Sequence, residues 1–149
     1  MARVLIIENK VTEMMNLIKT NIEFFNTIPK ARAAKIVRNL FNIVALIPNS
    51  LDIQITLCND IIQWCKLEKR TFLRQRIEAK LASLLLQRKK PVEALEIIDE
   101  LMKELRKLDD KQMLTEVHLT ESRIYHSLQN IPKCKQVFIF RHSFLSFTD

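Results

Sequence analysis

Apolar residues recur three and four positions apart through almost the whole chain. That spacing places them on one face of an α-helix. Six segments show it: 11–28, 31–47, 51–68, 72–88, 91–108 and 111–129. Pro48 closes the second of these. Pro91 opens the fifth at a first-turn position, where a missing N–H costs nothing. Ser50, Thr71 and Asp110 stand where N-caps belong. The connections are two to five residues long, as antiparallel neighbours require.

A repeat lies over this pattern. At a step of forty residues, Met15, Ile55 and Leu95 align, as do Leu17, Leu57 and Ile97, and Ile18, Cys58 and Ile98. Ile22, Ile62 and Met102 make a further column, and Phe25, Cys65 and Leu105 another. In the alternate helices Val37, Ile77 and Val117 align, then Phe41, Leu81 and Glu121, then Val44, Leu84 and Ile124. Glu121 is the single violation in these eight columns. A lone helix hairpin cannot bury its apolar stripe, whereas stacked hairpins share one continuous core. The expected fold is therefore all-α: an α-solenoid of antiparallel helix hairpins, TPR-like, with a repeat of about forty residues. Residues 1–135 are expected to form the helical-repeat solenoid, and 136–149 a divergent Phe-rich tail.

Composition strengthens the all-α reading. The 149 residues contain no glycine and four prolines. Ordinary usage of about 7% would give roughly ten glycines. Without glycine there is no Gly-rich phosphate loop, dinucleotide fingerprint or Gly-x-Ser-x-Gly elbow. Cys58, Cys65 and Cys134 are an odd number without zinc-type spacing, which speaks against a disulfide framework and fits a reducing compartment. Cys58 and Cys65 replace Ile or Leu in core columns, so they read as small buried hydrophobes. The start, MARVLIIENK, has only four consecutive apolar residues, too few for a signal core or a membrane span.

The richest polar stretch is LDDKQMLTEVHLTESRIYH, 108–126. On a helix it separates into parts. Leu114, Val117, Ile124 and Leu128 form the buried stripe. His118, Glu121, Ser122 and Tyr125 share an adjoining face, while Asp109 and Asp110 fall at the helix start as a cap. His118 and Glu121 supply two ligands where zinc needs three or four. A Ser122–His118 pair has no evident oxyanion hole. No catalytic residue, metal ligand or cofactor site is expected. Glu121 should be partly buried, as an inter-repeat structural residue with Tyr125. Its expected partner is Tyr125 or a base of the neighbouring hairpin such as Arg88 or Lys89, and the contact could set the register between repeats.

The net charge of +7 permits an acidic partner without requiring one. Bases gather at the hairpin junctions, in 66–76, 88–90 and 103–111. If the junctions lie along one edge, Lys66, Lys69, Arg70, Arg74, Arg76, Arg88, Lys89 and Lys90 are candidate partner-facing residues. The alternative is a solvated face with interleaved pairs such as Glu100–Glu104–Lys107. Aromatics other than Phe72 are not interleaved with these bases, which argues against single-strand nucleic acid. Trp64 aligns with Phe24 and Glu104 and is either a helix-packing rim residue or a partner anchor.

Three stretches carry a resemblance. KARAAKIVRNLF, WCKLEKRTFLRQRIEAKLASL and EALEIIDELMKELRKLDDKQMLTEVHLTESRIYHSLQNIPK resemble the proteasome non-ATPase regulatory subunit 11 family, lid subunits of the 26S proteasome regulatory particle. The resemblance covers about residues 10 to 135. It implies a right-handed solenoid, no catalysis and no cofactor. It also implies a clamping role between lid, ATPase base and core-particle α-ring, in cytoplasm and nucleus, with neither nucleic acid nor membrane as partner. Family members continue into a PCI module of winged-helix type, which is not in this sequence, and their first solenoid helices are missing too. After NIPKCK the family's next helix is replaced here by QVFIFRHSFLSFTD. The expectation is a shortened relative whose tail is a mis-joined or variant ending. A helical-repeat adaptor of another PCI-type complex, such as the signalosome, is the other reading.

Overall fold

The computed structural model describes residues 13, 16, 29–108, 110–130, 132–137 and 139. Five helices follow in order: α1 Lys30–Ala45, α2 Leu51–Leu67, α3 Thr71–Gln87, α4 Pro91–Leu108 and α5 Lys111–Ser127. Residues 132–137 are helical as well, and no strand occurs among the described residues. The helices run as sequential hairpins, as the repeat predicts. Apart from Glu13 and Asn16, the segment 11–28 lies outside the described residues, with the column members Met15, Leu17, Ile18, Ile22 and Phe25 and with Phe24; so do Asp109 and most of 136–149.

Helices α2, α3, α4 and α5 start at 51, 71, 91 and 111, a step of one helix every twenty residues. The junctions explain this regularity. Asn49, Lys69, Lys89 and Gln129 all have φ between 51° and 62°, in the left-handed region. Glycine normally fills such sites because it has no Cβ to clash. This chain has none, so Asn, Lys and Gln take the strain. At three junctions the hydrogen bonds form the same double closure. Lys69 N–H donates to Lys66 O and Arg70 N–H to Cys65 O; Lys89 and Lys90 repeat this on Leu86 and Leu85, and Gln129 and Asn130 on His126 and Tyr125. This is the Schellman arrangement, which satisfies carbonyls that the ending helix leaves open.

At Lys90 and Asn130 the closing residue also accepts the first bond of the helical segment that follows. The carbonyls of Ser50, Lys90, Asp110 and Asn130 accept the N–H four residues on. Asp110 caps as expected, its Oδ1 accepting the Met113 N–H at 3.0 Å. Ser50 occupies the cap position, but its hydroxyl accepts from Gln54 Nε2 at 3.0 Å instead of capping the backbone. Thr71 is the first helical residue rather than the cap, because Arg70 takes the preceding place. The end of α1 is tighter than the pattern predicts: Leu46 and Ile47 bond three residues back, and the helix stops at Ala45.

The chain divides inside α3 into two compact units, Met1–Leu73 and Arg74–Asp149. In the first, α1 packs on α2. Ala33, Val37, Leu40, Phe41 and Val44 form the buried stripe of α1, and Leu57, Cys58, Ile61, Ile62 and Cys65 that of α2. In the second, α4 packs on α5. Ile98, Leu101, Met102 and Leu105 of α4 and Leu114, Val117 and Ile124 of α5 are buried. Each such side chain contributes about 1.5–3 kcal/mol on removal from water. Cys58 and Cys65, at 0% and 1% exposure, fill core positions as thiols. Leu128 departs from its expected stripe and is exposed, because α5 ends at Ser127. Ile55, Leu95 and Ile97 are only half-buried, so the flanking columns mark the rim of the core.

Candidate interaction surface

The basic junctions are the first candidate. Lys66, Lys69, Arg76, Arg88, Lys89 and Lys90 are exposed. Arg88–Lys90 precede α4, whereas Arg106 and Lys107 stand in its last turn. An 18-residue helix separates its ends by about 27 Å. The bases of these two successive junctions therefore do not line one edge, contrary to the single ridge expected.

Two candidates are withdrawn from the accessible surface. Trp64 is 9% exposed and Arg70 8%. The Arg70 guanidinium lies 4.8 Å from the centroid of the indole, a cation–π distance. Arg70 follows left-handed Lys69, so the junction's backbone turn swings the guanidinium back over α2. Burial of the ring removes the partner-anchor reading of Trp64, and burial of the base removes Arg70 from any ridge that a partner touches directly.

Arg74 is half-buried and tied inward. Its Nη1 is 2.9 Å from Glu78 Oε1, and its Nη2 donates to Glu104 of α4. Gln75, 1% exposed, donates from Nε2 to the same Glu104 oxygen at 3.2 Å. The hydrogen bond from Arg74 holds the Glu104 carboxyl below the usual carboxylate range, with Gln75 and the charge of Lys107 adding to it. Glu104 thus bonds across to α3, where the sequence suggests a series with Glu100 and Lys107 along α4. Nothing in the sequence marks Gln75 as its second donor. Its role shows only in the folded chain, where it is buried and reaches Glu104.

The polar face of α5 resolves into a pair and a wall. His118 Nδ1 is 3.0 Å from Glu121 Oε2, with the two side chains 8% and 13% exposed. Glu121, which stands in the column of Phe41 and Leu81, is therefore satisfied from within its own helix, and the Arg88 and Lys89 expected as partners are exposed. Burial, then the charges of Glu121 and Asp99, raise the pKa of Tyr125. Lys133 places its ammonium 5.4 Å from the Tyr125 ring centroid and so links α5 to the segment 132–137. Ser122 is buried, and its carbonyl accepts from Cys134 Sγ at 3.4 Å. His118, Glu121 and Tyr125, with Arg106 and Lys133, line a groove of about 330 Å³. Arg106 and Lys133 do not stand apart from their neighbours in sequence, because only packing brings them to this groove. No group of three or more His, Cys, Asp or Glu among the described residues is placed to hold a metal ion. No helix among them is long and apolar enough to cross a membrane.

Comparison with known proteins adds what geometry does not carry. Residues 1–88 match the family model described as the 26S proteasome regulatory subunit RPN6 N-terminal domain. The chain is 49% identical over 128 residues to the 26S proteasome non-ATPase regulatory subunit 11 homolog of Arabidopsis thaliana, covering 86% of this chain and 30% of that protein. It is 42% identical over 128 residues to the probable 26S proteasome regulatory subunit rpn6 of Schizosaccharomyces pombe, with the same coverage. Against the 26S proteasome regulatory subunit RPN6 of Saccharomyces cerevisiae it is 37% identical over 123 residues, 83% of this chain and 28% of that one. The chain thus spans about 30% of the length of these relatives. With the family match running through more than half of its 149 residues, on a described structure made of helix hairpins, this chain belongs to the family of the 26S proteasome regulatory subunit RPN6, non-ATPase regulatory subunit 11.

Proposed function

We propose that this chain is a non-catalytic interaction segment of a 26S proteasome lid subunit. It helps to hold lid, ATPase base and core-particle α-ring together, in cytoplasm and nucleus. The observation that carries this reading is the match of residues 1–88 to the RPN6 N-terminal domain. The structure supports it physically. Within each helix pair the apolar faces are buried and polar helix edges are left exposed. Exposed Lys66, Lys69, Arg76, Arg88, Lys89 and Lys90 lie on such edges, as groups for a partner to read. Electrostatic surfaces of this kind set orientation and encounter rate more than raw affinity.

The test is affinity capture of the tagged chain from cell extract, quantified by mass spectrometry against an unrelated helical-repeat protein of equal charge. Enrichment of regulatory-particle and α-ring subunits over the control is expected. Equal recovery from both baits would remove the proposal, and selective enrichment of signalosome subunits would replace it with the other complex.

A further inference from the structure

Arg106 of α4, Tyr125 of α5 and Lys133 of the segment 132–137 converge on one groove of about 330 Å³. Its volume is at the lower end of the range for ligand sites, enough for a side chain or two. Arg106 and Lys133 are both exposed. Lys133 does not swing freely, because its ammonium rests at the Tyr125 ring, 5.4 Å from the centroid. Among the described lining residues the one anion, Glu121, is engaged by His118 at 3.0 Å. The lining therefore offers two cationic donors beside a hydrogen-bonded carboxylate, with Val137 as an apolar wall.

We infer that this groove binds the carboxylate side chain of an acidic peptide segment on a protein partner, seated between Arg106 and Lys133 with its methylenes against Tyr125 and Val137. The single charge matters. A phosphate dianion would double its attraction to the two bases along with its repulsion from Glu121, but the cost of stripping its water rises with the square of its charge, which favours a monoanion. The inference goes beyond the assembly role and does not depend on which complex the chain joins.

The experiment uses the full chain and a fluorescein-labelled peptide of alternating glutamate and leucine, read by anisotropy at low and physiological salt. Replacing the peptide's glutamates by glutamine should weaken binding about ten-fold or more, as should Arg106→Ala with Lys133→Ala. Arg88→Ala with Lys89→Ala removes the same charge at the other end of α4 and should weaken it less than about two-fold. Melting curves of both double variants establish that they fold. Three results would overturn the inference: no binding up to about 1 mM peptide, equal losses in the two double variants, or tighter binding of a peptide with phosphoserine in place of glutamate.

Discussion

Arg74 of α3 and Glu104 of α4, thirty positions apart, are joined side chain to side chain, and each holds a second partner, Glu78 and Gln75. This contact ties one helix to the next outside the apolar core. Its strength is limited by water, since the Glu104 side chain is 43% exposed. After that screening, a double-mutant cycle with Arg74→Ala and Glu104→Ala should return a coupling of about 0.5–1 kcal/mol. The pH dependence has a definite sign. The Glu104 carboxyl is depressed below its ordinary 4.5, so its stabilisation is fully present above that value and disappears as pH falls through the depressed one. Between neutral pH and well below 4.5, the wild type should therefore lose more stability than Glu104→Gln. Parallel losses in denaturant titrations would show that the contact is energetically silent.

The left-handed junctions make a second expectation. Lys69→Gly and Lys89→Gly should each stabilise by about 0.5–1 kcal/mol, because the Cβ clash is worth more than the added freedom of the unfolded chain. For a chain of this size that is a rise of about 1–4 °C in Tm. Valine at either site should lower Tm instead. Thermal melts followed by circular dichroism decide it, and a fall with glycine would contradict the strain argument.

Glu121 supplies a third. Glu121→Leu removes the carboxylate at 3.0 Å from buried His118 and should cost about 1–3 kcal/mol. Changing both residues to leucine should cost less than the sum of the single changes, since neither polar group is then left behind. Strict additivity would mean that the pair carries no coupling.

Core and surface should separate cleanly. Ile98 is 0% exposed and Phe72 71%. Ile98→Ala should destabilise by about 2–4 kcal/mol through the cavity it leaves. Phe72→Ala, although it deletes a larger side chain, should stay within about 0.5 kcal/mol. Chemical denaturation of the two variants is sufficient.

Most of the helices were legible in the sequence because their signals are local. Pro91 fixes one start, Asp110 caps another, and α2 to α5 lie within two residues of the expected spans. The columns Val37–Ile77–Val117 and Val44–Leu84–Ile124 are buried throughout because a forty-residue period keeps each position on the same helical face. What was not legible depends on which helices adjoin. Glu104 has bases nearby on its own helix, and only packing brings Arg74 closer. Trp64 stands outside the strict columns, yet the left-handed turn at Lys69 lays Arg70 over its ring. Left-handed backbone at lysine or glutamine has no sequence mark either, since glycine, its usual sign, never occurs. The groove beside Tyr125 assembles from residues of three segments, none of which stands out alone.

At Arg70 and Lys90 one amino acid both terminates a helix and precedes the next, leaving no slack in between. An added or deleted position there would break two backbone contacts at once. The junctions should therefore accept swaps of residue type, or gain and loss of an entire forty-residue hairpin, more readily than gradual loop lengthening.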